Sequence, residues 1–273
     1  MSTIKEIENL KQAIMQDYDK LTEDDTFKFA CKPGINCFNK CCGDVNIFLT
    51  PYDILRLKNR LGISSQEFLQ EYTITPIDEN QNFPVVLLKM SDKPGKPCFF
   101  VEEGGCSVYE DRPWPCRMYP LGVASPKDDE EDLEKEFYFL MKEDDCEGFC
   151  EQQEWTIKGW KDDQGVDKYE EFGRLFKEVT LHNYFKRGMA LTPRKMEMFH
   201  MVCYNIDAFR NFLYNSSFFE RFNIDPERQE KMKTDDEELL KFGFDWLKFA
   251  LFGEDIIPVK PEARQKVENA KAD

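Results

Sequence analysis

The chain is poor in histidine and has no long apolar run. Only His182 and His200 are histidines among its 273 residues, which excludes a metal site built mainly from imidazole. A membrane-spanning helix needs about 20 predominantly apolar residues, and no segment approaches that length. Residues 1–20 lack a basic leader followed by an apolar core. The sequence therefore predicts no secretory signal and a cytoplasmic protein.

Positive charge is also scarce. The chain has 37 Lys and Arg residues against 53 Asp and Glu residues, which gives a formal net charge of -16. Such a surface repels phosphate groups, so we expect no nucleic-acid partner and no binding to anionic membranes. Hydrophobic residues make up 41% of the chain and include 24 Phe. A packed core is therefore expected, and a metal is not needed as the only source of stability.

Several motifs of common cofactor proteins are missing. The sequence has no C-x-x-C pair, none of the usual ferredoxin spacings, and no C-x-x-x-C-x-x-C run of the radical enzymes that cleave S-adenosylmethionine. It also has no calcium-binding EF-hand spacing and no G-x-G-x-x-G nucleotide loop. These absences weaken the case for a plain zinc ribbon without excluding zinc.

Cysteine is what the chain has in excess, because nine of its ten cysteines lie between Cys31 and Cys150. Thiols stay reduced in the cytoplasm, which favours metal binding over disulfides, and thiolates suit zinc, copper(I) and iron–sulfur clusters. One tetrahedral zinc or one cubane cluster takes four thiolates. Nine cysteines therefore serve two such sites with one left over, or one site plus structural thiols. The predicted metal ligands are Cys31, Cys37, Cys41, Cys42, Cys98, Cys106, Cys116, Cys146 and Cys150.

Two details refine this prediction. Adjacent residues of an extended chain point to opposite sides, so Cys41 and Cys42 face different surroundings unless a tight turn at Gly43 relaxes this. Arg112 and Arg117 flank Cys116. In one interpretation their guanidinium groups offset the charge of the thiolates and hydrogen-bond to sulfur, and so support the bound cofactor without being ligands themselves. In the other, they form ion pairs on the acidic surface.

The remaining pattern predicts an α+β fold: an irregular cysteine-rich metal-binding domain with short strands and helices, followed by an α-helical C-terminal region. The predicted divisions are an N-terminal helix at 1–25, the cysteine-cluster domain at 26–154 and the helical region at 155–273. Thr50 and Ser64 are predicted helix caps. Strands are expected at 45–49, 85–90 and 137–141, an acidic loop at 128–136, and C-terminal helices at 166–187, 192–213, 235–252 and 261–272.

Five blocks follow one another in the cysteine-rich part: C-x5-C-x3-CC from Cys31 to Cys42, LTPYDILRLKNRLG, PCFF, GCSVYEDRP and CRMYP. In this order they resemble the bacterial and archaeal cysteine-cluster proteins described by a CxxCxxCC motif. The resemblance implies a zinc- or iron-chelating domain over about Phe27 to Cys150. In the first block the intervals are five and three residues, where the motif has two and two. The family includes flagellin lysine methylase, which transfers methyl groups from S-adenosylmethionine.

Three functions follow from these observations. The first is a metal-binding protein that holds an iron–sulfur cluster, of the 4Fe-4S type, or zinc, and acts in electron transfer or metal handling. Its partners would be metal ions and a redox or substrate protein. The second, implied by the resemblance, is a protein lysine methyltransferase-like enzyme in which the metal site is structural. The third is an interaction module whose loops are stabilised by zinc.

Overall fold

The computed structural model describes residues 18–76, 81–124 and 136–263. Most of the predicted N-terminal helix and of the acidic loop lies outside these ranges. Leu21, at the end of that helix, is not helical: its main chain forms an antiparallel bridge with Tyr138. The predicted tail helix is described only at residues 261–263, which are helical.

Short antiparallel strands build the part of the chain before residue 157. Within the described residues they form four small sheets, β1–β9, β2–β4–β3, β5–β6 and β7–β8. The expected strands at 45–49, 85–90 and 137–141 are present but shorter. The strands are β1 (Thr26–Lys28), β2 (Phe48–Leu49), β3 (Thr73–Ile74), β4 (Val86–Leu88), β5 (Val101–Glu102), β6 (Gly105–Cys106), β7 (Leu121–Ala124), β8 (Phe137–Leu140) and β9 (Glu154–Thr156).

Two helices of this part begin at the caps that the sequence predicts. Helix α1 (Pro51–Leu61) starts after Thr50, whose hydroxyl accepts a hydrogen bond from the main-chain N–H of Asp53, and it ends at Gly62, which has a φ of 67°. Helix α2 (Ser65–Tyr72) starts after Ser64, which forms a reciprocal capping box with Glu67. Both boxes satisfy main-chain N–H groups that a helix start leaves unpaired. A third, five-residue helix, α3 (Trp114–Met118), carries Cys116.

The C-terminal region is helical, as expected, but its helices are shorter than the periodicity predicts. The prediction of one helix at 166–187 is wrong, because the chain turns at Leu181 and the His182 ring caps a new helix by accepting from the N–H of Tyr184. The helix predicted at 192–213 divides at Asn205, whose side chain caps the second half. The helices are α4 (Ile157–Gln164), α5 (Asp167–Thr180), α6 (Asn183–Lys186), α7 (Pro193–Tyr204), α8 (Ile206–Tyr214), α9 (Phe218–Arg221), α10 (Pro226–Met232) and α11 (Asp236–Leu247). A π-helical turn at Lys248–Phe252 follows α11.

Two hydrophobic cores hold these elements together. The larger core packs α1, α2 and strands β2 and β4 against α5, α7, α8 and α11. It therefore crosses the predicted boundary at residue 155. Gly243 allows α11 to approach α7 closely, because a Cβ there would lie 2.8 Å from Val202. The smaller core contains Phe27, Phe29, Met118, Leu121, Tyr138, Ile157, Trp160 and Val166.

The described residues thus confirm the α+β class, with short strands followed by a helical region. None of the helices in the described part of the chain has the length and apolar character needed to cross a membrane.

Candidate metal centre

Seven of the nine predicted ligands lie on loops and short turns, Cys106 ends strand β6 and Cys116 lies in the short helix α3; all are free thiols. Cys41 and Cys42 lie in a 3-10 turn at Lys40–Cys42, and Cys150 lies in another at Glu147–Cys150. Cys31, Cys116 and Cys150 are exposed, and the other six are partly buried. Cys203 is 2% exposed within α7, away from these loops, as expected for a small apolar side chain.

One set of four thiols, which we name the first thiol group, comprises Cys31, Cys37, Cys41 and Cys146. The N–H of Ala30 donates to the carbonyl of Gly148 at 3.1 Å, which brings Cys31 to the segment that carries Cys146. The N–H of Glu147 donates to Cys37 Sγ at 3.3 Å. Such N–H···S hydrogen bonds stabilise a thiolate.

The pKa of Cys31 reflects the other three thiols of the first thiol group. Desolvation by the surrounding protein raises the pKa of Cys31 to about 11, although one side of the residue is exposed. The next causes are repulsion by other thiolates, those of Cys41, Cys37 and Cys146. A cation among these sulfurs would relieve that repulsion.

The second thiol group comprises Cys42, Cys98, Cys106 and Cys116. The N–H of Cys98 donates to the carbonyl of Cys42 at 2.8 Å. In the β5–β6 hairpin Val101 lies opposite Cys106, and its N–H donates to the carbonyl of Cys98 at 3.1 Å. Desolvation by the surrounding protein, then repulsion by Cys98, raises the pKa of Cys116 to about 12, although the residue is partly exposed. Cys42 therefore meets three cysteines of a segment that is distant from it in sequence.

Main-chain donors are already aimed at two sulfurs of the second thiol group. Burial raises the pKa of Cys98, and the N–H of Phe100 opposes this by donating to its sulfur. Burial also raises the pKa of Cys106, and the N–H of Val108 opposes it in the same way. Each donor lies two residues after its cysteine. An N–H in this position favours the thiolate over the thiol, and the thiolate is the form that binds a metal.

Cys41 and Cys42 connect the two groups. They lie in a turn, so the expected extended conformation with opposite side chains is not what the described structure contains. The Cys42 thiol donates to the Cys41 sulfur, which lowers the pKa of Cys41 to about 7 and raises that of Cys42. Gly43 is extended rather than tightly turned, with φ -131°. It is needed for a close approach, because a Cβ there would lie 2.5 Å from the carbonyl oxygen of Gly95.

The two arginines are buried, at 7% exposure for Arg112 and 6% for Arg117, so they do not form the ion pairs that a surface position would give. Arg117 donates to the main-chain carbonyls of Arg112 and Gln164 at 3.0 and 2.6 Å and also to that of Glu110. Arg112 donates to the carbonyl of Tyr109 at 2.5 Å and to the Gln164 side chain.

Arg112 also acts on the second thiol group through its charge. The guanidinium opposes the burial that raises the pKa of Cys106 and Cys116. Burial lowers the pKa of Arg112 itself. The contacts of Arg117, by contrast, tie α3 to the start of the C-terminal helices. Arg112 therefore contributes positive charge near the second thiol group, whereas Arg117 fixes the position of α3.

The Tyr119 hydroxyl is a buried polar group beside the first thiol group. It approaches the Cys146 sulfur without forming a well-shaped hydrogen bond in the described chain. Burial, then this contact with Cys146, raises the pKa of Tyr119. A buried O–H with a poor acceptor is costly, and a metal-bound thiolate at Cys146 would be a better acceptor.

Asp53 is a residue whose role at the site the sequence does not reveal. Its carboxylate is completely buried and accepts from the N–H groups of Thr50 at 2.7 Å and Trp114 at 2.8 Å. Burial raises its pKa to about 6 despite these hydrogen bonds. Asp53 thus caps its own helix and also fixes the start of α3, which carries Cys116.

Both histidines lie away from the thiols. His182 stacks on Phe252 with ring centroids 3.9 Å apart, and His200 contacts Tyr204 in the C-terminal helices. Among the described residues, no group of three or more His, Cys, Asp or Glu side chains is placed to hold a metal ion. Since neither histidine lies near the nine thiols of residues 31–150, these thiols are the soft donors that this part of the chain offers.

Comparison with known families agrees with this chemistry. A model of the CxxCxxCC family, described as "Putative zinc- or iron-chelating domain", matches residues 30–155. The matched stretch is somewhat under half of the chain. The resemblance seen in the sequence blocks is thus confirmed, and the matched range contains all nine loop cysteines. No curated protein and no solved structure matches the chain. The family description supports metal binding, with zinc or iron as the metal.

Proposed function

We propose that this protein binds an iron–sulfur cluster of the 4Fe-4S type through the cysteines of its CxxCxxCC domain and acts in electron transfer or metal handling. The observation that carries the proposal is the convergence of free thiols from residues 31–42, 98–116 and 146–150 where neither histidine reaches. An electron-transfer role requires a protein redox partner.

The residues present fit a thiolate-bound metal. The N–H of Glu147 already donates to Cys37 Sγ at 3.3 Å. The Tyr119 hydroxyl is buried beside Cys146 without a well-shaped hydrogen bond, and a metal-bound thiolate there would accept one. When bound, the metal would supply positive charge to a group of mutually repelling thiolates, and a cluster would add redox chemistry.

Three observations favour the cluster over zinc. The donors are all sulfur, the cysteine intervals do not match zinc knuckles, and aromatic side chains surround the site. Trp114 and Tyr119 pack against the smaller core beside Cys146. Partial burial by aromatic rings limits the access of water, which is one of the levers that set a cluster's potential.

We also place the protein in the cytoplasm, because nine unpaired loop thiols suit a reducing compartment. The division at residues 26–154 and 155–273 separates the metal-binding part from the helical part. In this proposal the helical part supports the metal domain through the shared core.

The test is anaerobic purification of the full chain, followed by measurement of iron, zinc and acid-labile sulfide. We expect brown protein whose visible absorption bleaches on reduction, with equal amounts of iron and sulfide. Cys203→Ser is the matched control, since its thiol lies in the core of α7, and it should keep the same content. Colourless protein with stoichiometric zinc would refute the cluster and favour a zinc-stabilised module.

A further inference from the structure

We propose, as an extension of the proposed function, that the CxxCxxCC domain holds two separate four-thiolate metal centres whose ligand sets divide between the adjacent residues Cys41 and Cys42. The first centre uses Cys31, Cys37, Cys41 and Cys146. The second uses Cys42, Cys98, Cys106 and Cys116. Cys150 is the ninth thiol and belongs to neither centre.

The first set is assembled by contacts between the segments 30–37 and 146–151. Beside the hydrogen bonds of Ala30 and Cys37 described above, Lys32 pairs with Glu151 at 2.6 Å, and Asn36 donates to Glu147 at 3.1 Å. These contacts lie on both sides of Cys31 and Cys37. They hold both thiols at the turn that begins with Cys146, so a metal there needs only Cys41 to complete its ligands.

The second set is assembled on a different surface. Gly43 pairs with Pro97 in an antiparallel bridge, which fixes Cys42 beside Cys98. The hairpin then brings Cys106 back to Cys98. Asp53 holds the first turn of α3, which places Cys116 within electrostatic reach of both Cys98 and Cys106.

The two sets also rest on different cores. Cys98 and Cys106 pack against the larger core, whereas Cys146 packs against the smaller one. The two sets are therefore supported by different parts of the fold.

The division between Cys41 and Cys42 follows from the main chain on either side of the pair. The N–H of Lys40 donates to the carbonyl of Cys37 at 2.9 Å, and this turn holds Cys41 close to Cys37 of the first set. The carbonyl of Cys42 accepts from the N–H of Cys98 at 2.8 Å, which holds Cys42 beside the second set. Cys150 is exposed at the end of its turn and faces a surface cavity lined by residues 32–36, Glu147 and Glu151.

The partition is tested by metal content per chain in four anaerobically purified full-length variants. The double variant Cys31→Ser/Cys37→Ser removes two ligands of the first centre, and Cys98→Ser/Cys106→Ser removes two of the second. Cys150→Ser and Cys203→Ser are matched single-thiol controls. We expect each double variant to lose about half of the metal, because one structural centre needs about four thiolates and two of them are removed. The controls should lose none.

A double variant that loses all of its metal while its circular dichroism stays native would overturn the partition, as would loss of metal in Cys150→Ser. Titration of metal-free wild-type protein with cobalt(II), followed by the thiolate-to-cobalt absorption, gives a second measurement that needs no variant. Two equivalents at the endpoint support two centres, and one equivalent contradicts them. No thiolate–cobalt band at all would instead refute the proposed metal binding itself.

Discussion

The helical C-terminal region and the cysteine-bearing loops are stabilised by different means. Phe199, Phe209, Leu213, Phe242 and Leu247 are fully buried in helices of 9 to 12 residues. The loops at 31–42, 98–116 and 146–150 contain strands of two residues and turns of three to five, with thiols that are half-buried or exposed. Apolar burial stabilises the first region, and the proposed metal would add cross-links to the loops.

Removal of the metal should produce the largest effect and should be confined to the loops. Structural zinc contributes on the order of 10 kcal/mol in small metal-dependent domains. We expect amide hydrogen exchange to rise by at least about 100-fold in the three loops after anaerobic chelation, because their local stability depends on the metal. Exchange in α7 and α11 should stay nearly unchanged. An equal rise in amide exchange in the loops and in the helices would show that the metal does not stabilise the loops selectively.

A cavity in the helical core should produce the opposite pattern. Phe242 is completely buried and stacks near Phe209, with ring centroids 6.3 Å apart. Phe242→Ala should lower the free energy of unfolding by about 3–5 kcal/mol, as large-to-small core substitutions do. Urea unfolding measures this change, and elemental analysis should give the wild-type metal content. Loss of metal from a variant that remains folded would contradict the separation of the two regions.

The two capping boxes allow a smaller and internally controlled test. Asp53→Ala removes acceptors for the N–H groups of Thr50 and Trp114, which we expect to cost about 2–3 kcal/mol in urea unfolding. Glu67→Ala removes a matched but exposed capping carboxylate and should cost about 0.5–1 kcal/mol. Because Asp53 also fixes α3, only Asp53→Ala should weaken cobalt binding by Cys116. Equal costs for the two variants would show that the contact with Trp114 contributes nothing.

The smallest expected effect concerns Tyr119, whose buried hydroxyl lies beside Cys146 of the first thiol group without a well-shaped hydrogen bond. Tyr119→Phe should leave the stability of the metal-free protein nearly unchanged, because the contact with Cys146 is weak there. In the metal-bound protein it should weaken metal affinity by about 10-fold, the lower end of the effect of groups that support metal ligands. Competition with a coloured chelator measures the affinity. A variant with unchanged affinity would show that the hydroxyl does not donate to a metal-bound thiolate.

The helix starts could be predicted from sequence because their determinants are local. Thr50 with Asp53, and Ser64 with Glu67, are three residues apart, and each pair caps its own helix. The break at Asn205 could not be predicted, because that residue also binds Ser65, whose hydroxyl donates to it at 2.9 Å from a helix 140 residues away in sequence. Hydrophobic periodicity continues through such a break, so the pattern alone extends the helix too far.

The same distinction applies to the metal site. The sequence supplies the thiols and their soft-metal chemistry, since residue type alone determines both. It does not indicate which thiols meet, because Cys42 lies beside Cys98 through a main-chain hydrogen bond between distant segments. The contacts of Arg112 and Arg117 with Gln164 likewise depend on the packing of α4, a helix that the hydrophobic pattern does not predict.

X-ray absorption at the metal edge of the anaerobically purified full chain tests the central claim most directly. The claim is that cysteine sulfur alone binds the metal. It predicts a first coordination shell of sulfur atoms at about 2.3 Å, with no nitrogen or oxygen neighbours at about 2.0–2.1 Å. A first shell made of nitrogen or oxygen, or a folded chain that contains no metal, would contradict it.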